Sequence, residues 1–259
     1  MRTDVDLVLH VVKRLGIMVL ENGGETYRAE EVACNVCSAC GMEQVEVFAL
    51  PTGLFVNVVY DGLHHETAMK RVKRRSINLA MVDTANRISR QISAGTLSLS
   101  EAEKQIAAAY QTASPRWITT LAAALGVGFF AAQFGGGWAE VLISAVVGVA
   151  IHLLSALFRR EDMYHVIFSL TGGLLGAVCA VGSVWMFGLS GHSVDILVSA
   201  SIMLLVPGLS MVNAIRDTMR GDLISGMARV GEVAVIALSI AAGVGAVLSA
   251  AAWLGGGTL

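Results

Sequence analysis

The chain has 259 residues, 55% of them hydrophobic and 15% charged, against about 25% charged in ordinary soluble domains. The net charge of −2 says little, because the placement of charge carries the information: residues before Trp117 read as a mixed domain, and those after it are almost all apolar or small. No secretory signal is expected, since Asp4, Asp6, Lys13 and Arg14 interrupt the first apolar run and a signal core is unbroken, so the four cysteines are expected as free thiols in a reducing compartment.

Val8, Val11, Val12, Leu15, Met18 and Val19 recur at helical spacing, and Asn22-Gly23-Gly24 ends that helix. A second helix is expected from Thr26 to Cys40. The period then changes to two at Val45, Val47 and Ala49. A Pro51–Gly53 turn, a strand from Leu54 to Tyr60, an Asp61-Gly62 hairpin and a third strand from Leu63 follow. Ile77, Ala80, Met81, Thr84 and Ile88 restore the helical period up to Gly95. Ser98 and Glu101 form a capping box for a last helix before Ser114-Pro115.

The motifs in this half favour structural uses. Cys34, Cys37 and Cys40 form a C-x₂-C-x₂-C run without the fourth Cys-Pro of a cluster-binding pattern, so buried packing is favoured over metal. His64 and His65 are adjacent on a strand and point to opposite faces, which argues against a shared metal. Lys70, Arg71, Lys73, Arg74 and Arg75 lack interleaved aromatics, so they suit a solvated face or an anionic leaflet rather than nucleic acid. Glu25 with Arg28, and Arg28 with Glu31, have the i,i+3 spacing of ion pairs at a helix start.

Five stretches then approach the roughly 20 apolar residues a spanning helix needs: about 117–134, 138–158, 166–189, 196–215 and 233–254. Of the 18 Lys and Arg, thirteen lie up to Arg116. The second connection holds Arg159 and Arg160, and the fourth holds Arg216, Arg220 and Arg229. All therefore fall on one side, which places the N-terminus in the cytosol and the C-terminus outside. Trp117, Trp138, Trp185 and Trp253 fall near span ends, where indoles prefer to sit. The expected fold is a polytopic α-helical membrane protein: a small α+β cytosolic domain over 1–115 and five transmembrane helices over 116–259.

The fourth span carries the strongest functional signal. Pro207-Gly208 interrupts it, and proline removes a backbone donor and frees the Met203 carbonyl. Broken helices in membranes line cavities. Beyond the break come Ser210, Asn213, Arg216, Asp217, Asp222, Ser225, Arg229 and Glu232. A kink followed by interfacial charges is the plain alternative. His152 is the one ionisable group deep in a span and is a further candidate. Pro207, Gly208, Ser210, Asn213, Arg216, Asp217 and His152 are thus expected at a substrate site. Glu25, Thr26, Arg28, Asp222, Arg229 and Glu232 are expected at a cytosolic gate. No P-loop, H-E-x-x-H or G-x-S-x-G occurs, and the reading is of a non-enzyme without cofactor or metal.

The chain resembles the threonine/serine exporter (ThrE-like) family, most closely its shorter YjjP-like members. The residues that carry the resemblance are Gly23–Glu30, Asn78–Arg90, Pro115-Arg116-Trp117, Gly136-Gly137-Trp138 and Leu204–Ala214 continuing to Gly226. The resemblance implies export of small polar metabolites, threonine- or serine-type amino acids in some members and small dicarboxylates such as succinate in others, across the bacterial cytoplasmic membrane. It also implies work with a separate small multispanning subunit (YjjB-like), in a homo- or hetero-oligomer. A membrane-anchored sensor or scaffold with a partner-binding cytosolic domain is the alternative; the broken fourth span favours the exporter.

Overall fold

The structure, a computed structural model, describes residues 2–111, 115–158 and 164–254, with side chains from Val5 onward except that of Tyr164. Arg159 and Arg160, two of the charges used for orientation, lie outside the described residues. The chain divides into two compact units, 1–113 with 209–230, and 114–208 with 231–259.

In the first unit, α1 (Arg2–Glu21) is the core element. Val11, Val12, Leu15, Met18 and Val19 are wholly buried against α2 (Thr26–Ala39), α3 (Leu79–Ser93), α4 (Leu99–Gln111) and the sheet. Each such side chain contributes up to about 1.5–3 kcal/mol, and Leu15→Ala would cost about 2–5 kcal/mol through the cavity it leaves. The sheet is antiparallel in the order β1 (Gln44–Leu50), β2 (Gly53–Tyr60), β3 (His64–Arg71). The expected period of two places Leu54, Val56 and Val58 inward and fully buried. The β2–β3 turn holds three residues, Asp61, Gly62 and Leu63, between paired Tyr60 and His64, with Asp61 and Gly62 at positive φ. The third strand therefore starts at His64, one residue later than the two-residue hairpin expected from the sequence. At α4, Ser98 Oγ accepts from the Glu101 amide while Glu101 Oε2 accepts from the Ser98 amide, which is the capping box read from the sequence.

The second unit contains α5 (Arg116–Gln133), α6 (Trp138–Phe158), α7 (Tyr164–Phe187), α8 (Gly191–Met203) and most of α10 (Leu223–Leu254). α5 and α6 pack backbone to backbone. A Cβ on Gly148 would sit 2.7 Å from the Ala123 carbonyl oxygen, so a glycine is what permits the approach. α6, α7 and α10 are each long and apolar enough to cross a membrane. Two further pairs, α4 with α5 and α8 with α9 (Gly208–Met219), reach that measure only when each interrupted pair is taken together, giving three to five spans among the described residues.

The break expected at Pro207-Gly208 is present and one helix start moves. The fourth span is interrupted rather than kinked: α8 ends at Met203 and α9 begins at Gly208. Proline disfavours helical geometry in the residue before it. The chain turns before Pro207, with the Ile202 carbonyl accepting from the amides of both Leu205 and Val206 at 2.8 and 3.0 Å. The fifth helix starts at Leu223 rather than Val233, because Asp222 Oδ1 accepts from the Ser225 amide at 3.1 Å and caps it. Ser225, Arg229 and Glu232 are therefore helical residues rather than loop residues.

Candidate functional site

Glycine makes the first piece of the site. Gly23 turns the chain at φ +86° after α1, and a Cβ on Gly24 would approach the Val19 carbonyl oxygen to 2.9 Å. The turn presents the Gly23 and Gly24 carbonyls to α9 and α10. Asn213 Nδ2 donates to Gly23 O at 2.9 Å, and Arg229 Nη2 donates to Gly24 O at 3.0 Å.

The carboxylate of Asp217 closes the network. Its Oδ2 accepts from Arg229 Nε and its Oδ1 from Thr26 Oγ1, both at 2.9 Å. The Asp217 and Arg229 side chains are 0% and 6% exposed. Such a buried charge is tolerable only because it is paired, hydrogen-bonded and set beside the positive N-terminal end of α2. Asn213 is also buried, and its Oδ1, like Ser225 Oγ, has no hydrogen-bond partner among the described residues.

At the rim of this network, Glu25 holds two arginines. Its Oε1 accepts from Arg216 Nη1, and its Oε2 accepts from Arg28 Nε at 3.2 Å. Burial pushes the Glu25 carboxyl up, but its own amide and the bonds from Arg28 and Arg216 outweigh that and hold it below the ordinary value. Arg28 also donates to the Tyr27 hydroxyl at 3.2 Å, and the Arg220 guanidinium stacks over the Tyr27 ring at 3.5 Å. A cleft of about 620 Å³ lies alongside, lined by Thr26, Tyr27, Glu30, Asp217, Arg220 and Asp222 among others. Burial first, and the nearby charges of Asp222 and Asp217 after it, push Glu30 up even though it accepts from the Ala49 amide.

Asn213, Arg216, Asp217, Glu25, Thr26, Arg28 and Arg229 thus meet in one network within the first unit. Ser210 is half-buried in the same unit, and Asp222 lines the cleft. Pro207, Gly208, Glu232 and His152 belong to the second unit, where His152 Nε2 lies 3.3 Å from Thr119 Oγ1. Tyr27, Glu30 and Arg220 carry no site assignment from the sequence. For Tyr27 and Glu30 the available signal is the crowding of polar residues directly after a Gly-Gly pair; Arg220 lies in the later polar cluster. Burial and the neighbouring Cys34 and Cys40 push the Cys37 thiol up to about 12, so it is a protonated, apolar-packing group at neutral pH. Among the described residues no set of three or more His, Cys, Asp or Glu side chains is placed to hold a metal.

No solved structure matches the chain. At 25% identity over 230 residues, 88% of this chain aligns with 89% of the "Probable succinate transporter subunit YjjP" of Escherichia coli. The "Threonine/serine exporter" of Corynebacterium glutamicum is 24% identical over 92% of this chain, which corresponds to 50% of that protein. For the "Probable threonine/serine exporter" of Mycobacterium tuberculosis the identity is 24% and the share of that protein 45%. The chain therefore matches about half the length of the two exporters and most of the length of the transporter subunit. Residues 10–251 match the ThrE family model, threonine/serine exporter, and the chain belongs to that family.

Proposed function

We propose that this chain is the larger subunit of a secondary exporter that moves small carboxylate-bearing metabolites out across the bacterial cytoplasmic membrane. Five spans place the N-terminal α+β domain in the cytosol and the C-terminus in the periplasm, in keeping with the one-sided Lys and Arg. A separate small multispanning subunit completes the assembly, in the way that the family's longer members continue for as much chain again. Threonine- or serine-type amino acids and small dicarboxylates such as succinate are the substrate classes.

The observation that carries this reading is the Glu25 carboxylate held between Arg216 and Arg28. Two guanidiniums on one carboxylate form a ready carboxylate site, here occupied by the chain's own side chain, while the Arg216 side chain remains 55% exposed. A substrate carboxylate arriving from the cytosol would exchange with Glu25. Asp217, Arg229, Thr26 and the Gly24 carbonyl would hold the frame against which that exchange takes place. Asp222 lines the cleft beside this network. Ser210, Pro207, Gly208 and Glu232 are further candidates to be tested by substitution, with His152 as the next.

The test is efflux from proteoliposomes of the complete complex. Arg216→Lys keeps the charge and loses the planar fork, Asn213→Ala loses the bond to Gly23, and Pro207→Ala removes the break. Efflux falls at least about tenfold in each, equivalent to about 1.4 kcal/mol, with membrane levels and assembly unchanged. Wild-type efflux by all three would overturn the site and pass the role to His152.

A further inference from the structure

The helical hairpin made by α9 and the first two turns of α10 is built inside out. Its buried polar residues are Asn213 and Asp217 on α9 and Ser225 and Arg229 on α10, beside buried Ala214 and Gly226. On the opposite side of α9, Met211, Val212, Ile215 and Met219 are exposed, and Leu223, Ile224, Met227 and Val230 repeat the pattern on α10. At 100° per residue, each apolar set covers about one third of its helix circumference. Met219 reaches 82% exposure and Met227 69%. Gly226, packed against Thr218 and the Ala214 carbonyl, holds the two helices in contact, so the apolar faces belong to one unit.

A helix in water turns its apolar stripe inward, and a continuous apolar patch outward marks a surface made for another medium. Charge identifies that medium. Exposed Arg216 and Arg220 lie on α9 and the turn after it, whereas Asp217 is fully buried and Asp222 half-buried. An apolar face edged by arginines fits the boundary between acyl chains and anionic headgroups. Length agrees. α10 is one unbroken helix of 32 residues, about 48 Å, against a hydrocarbon core of about 30 Å. Roughly a dozen of its residues therefore project into the headgroup layer and beyond it, as its first two turns would.

We propose that the Leu209–Val230 hairpin is the interfacial arm of the interrupted fourth span, residues 191–207 making the crossing, with its apolar stripe in the acyl boundary of an anionic leaflet and its polar face carrying the α1–α2 turn. The occupant of the stripe is lipid, and the assignment does not depend on which metabolite is moved.

The full-length chain in nanodiscs of phosphatidylethanolamine and phosphatidylglycerol tests this. With Cys34, Cys37, Cys40 and Cys179 changed to Ala, single nitroxides are placed at Met211, Ile215, Met219 and Met227, and at exposed Lys104 as an aqueous control. Collision with oxygen should exceed collision with a water-soluble nickel chelate at the four stripe positions. Their depth should be about 5–10 Å below the phosphates, with the reverse preference at Lys104. Chelate access equal to that at Lys104 overturns the proposal in favour of a solvated face. Low access to both reagents overturns it in favour of a protein partner or a second copy. Should the cysteine-free chain not fold, a photoactivatable phosphatidylglycerol is crosslinked to the unmodified protein. Labelled peptides from 209–230 support the proposal, and labelling confined to other segments refutes it.

Discussion

Arg229→Met isolates the buried network. Methionine nearly matches the volume of the arginine stem, so packing changes little, but two polar groups lose a partner. Among the described residues Asp217 keeps the Thr26 hydroxyl as its donor, with its side chain fully buried; breaking a buried pair in this way costs about 3–5 kcal/mol. The Gly24 carbonyl loses its 3.0 Å bond, and leaving it unsatisfied accounts for about 1–3 kcal/mol of the same loss. At about 3 °C per kcal/mol for a unit of this size, the first unit should melt about 10–15 °C lower. With Cys34, Cys40 and Cys179 changed to Ala, wholly buried Cys37 on α2 gives a site-specific readout, since a maleimide dye reacts with it only after that unit opens. Adding Asp217→Asn to Arg229→Met should restore at least half of the loss, because the uncompensated charge is gone while the amide still accepts from Thr26. The reasoning fails if Arg229→Met shifts melting by less than about 3 °C, or if the double variant is additive.

Further outcomes follow from single residues. Glu30 has a raised folded-state pKa, so the stability it lends is fully present below its unfolded value and is lost as pH rises through the folded one. Glu30→Gln should therefore raise the melting temperature at pH 7–8 and do nothing below pH 4.5; equal effects at both would count against it. Glu25 has the opposite sign, with a lowered pKa, and its contribution should persist at pH 5 and fade only below about pH 4.5, as denaturation of Glu25→Gln and the parent chain at stepped pH would reveal. Gly24→Ala drives a Cβ into the Val19 carbonyl and should destabilise the first unit by about 1–3 kcal/mol, whereas Gly41→Ala, with open space around it, should cost only the strain of its positive φ. A C-terminal alkaline phosphatase fusion should be active in the periplasm; activity of only a cytosolic reporter at that end would sink the five-span orientation.

The parts of the fold visible in the sequence are those written at short range. The change of hydrophobic period from 3.6 to 2 at Val45 and the Ser98–Glu101 box each depend on neighbours within four residues and appear as read, and the Asp61-Gly62 turn does so with its third strand one residue later than expected. The break near Pro207 is likewise local. What the sequence conceals is the pairing of Gly23–Thr26 with Asn213–Arg229, because those contacts close loops of about 190–205 residues. No periodicity encodes a partner so far along the chain. The polar residues after Pro207 were legible as a cluster, yet their direction was not, since a helical wheel states which residues share a face and not which face is turned inward.

That direction has a physical origin in the network itself. α9 carries an apolar stripe, Met211, Val212, Ile215 and Met219, that would by default be buried against the hydrophobic core of the first unit. Turning it outward requires that the opposite face be held by something stronger than apolar contact. Asn213 and Arg229 donate to the Gly23 and Gly24 carbonyls, Thr26 donates to Asp217, and the Arg229–Asp217 pair ties α10 to α9. Net stability is a weak reason to keep such a pair, because apolar replacements of equal volume often match or exceed a buried ion pair. Its distinctive effect is on orientation. A charged pair has low energy in only one rotation of α9, so it selects the arrangement in which the apolar stripe is left for the membrane. On this view Asp217→Leu with Arg229→Met would yield a folded first unit whose hairpin has lost its fixed rotation. Nitroxides at Met211 and Met219 would then report mixed oxygen and chelate access where the parent chain reports one environment, and an unchanged single environment would refute the orienting role.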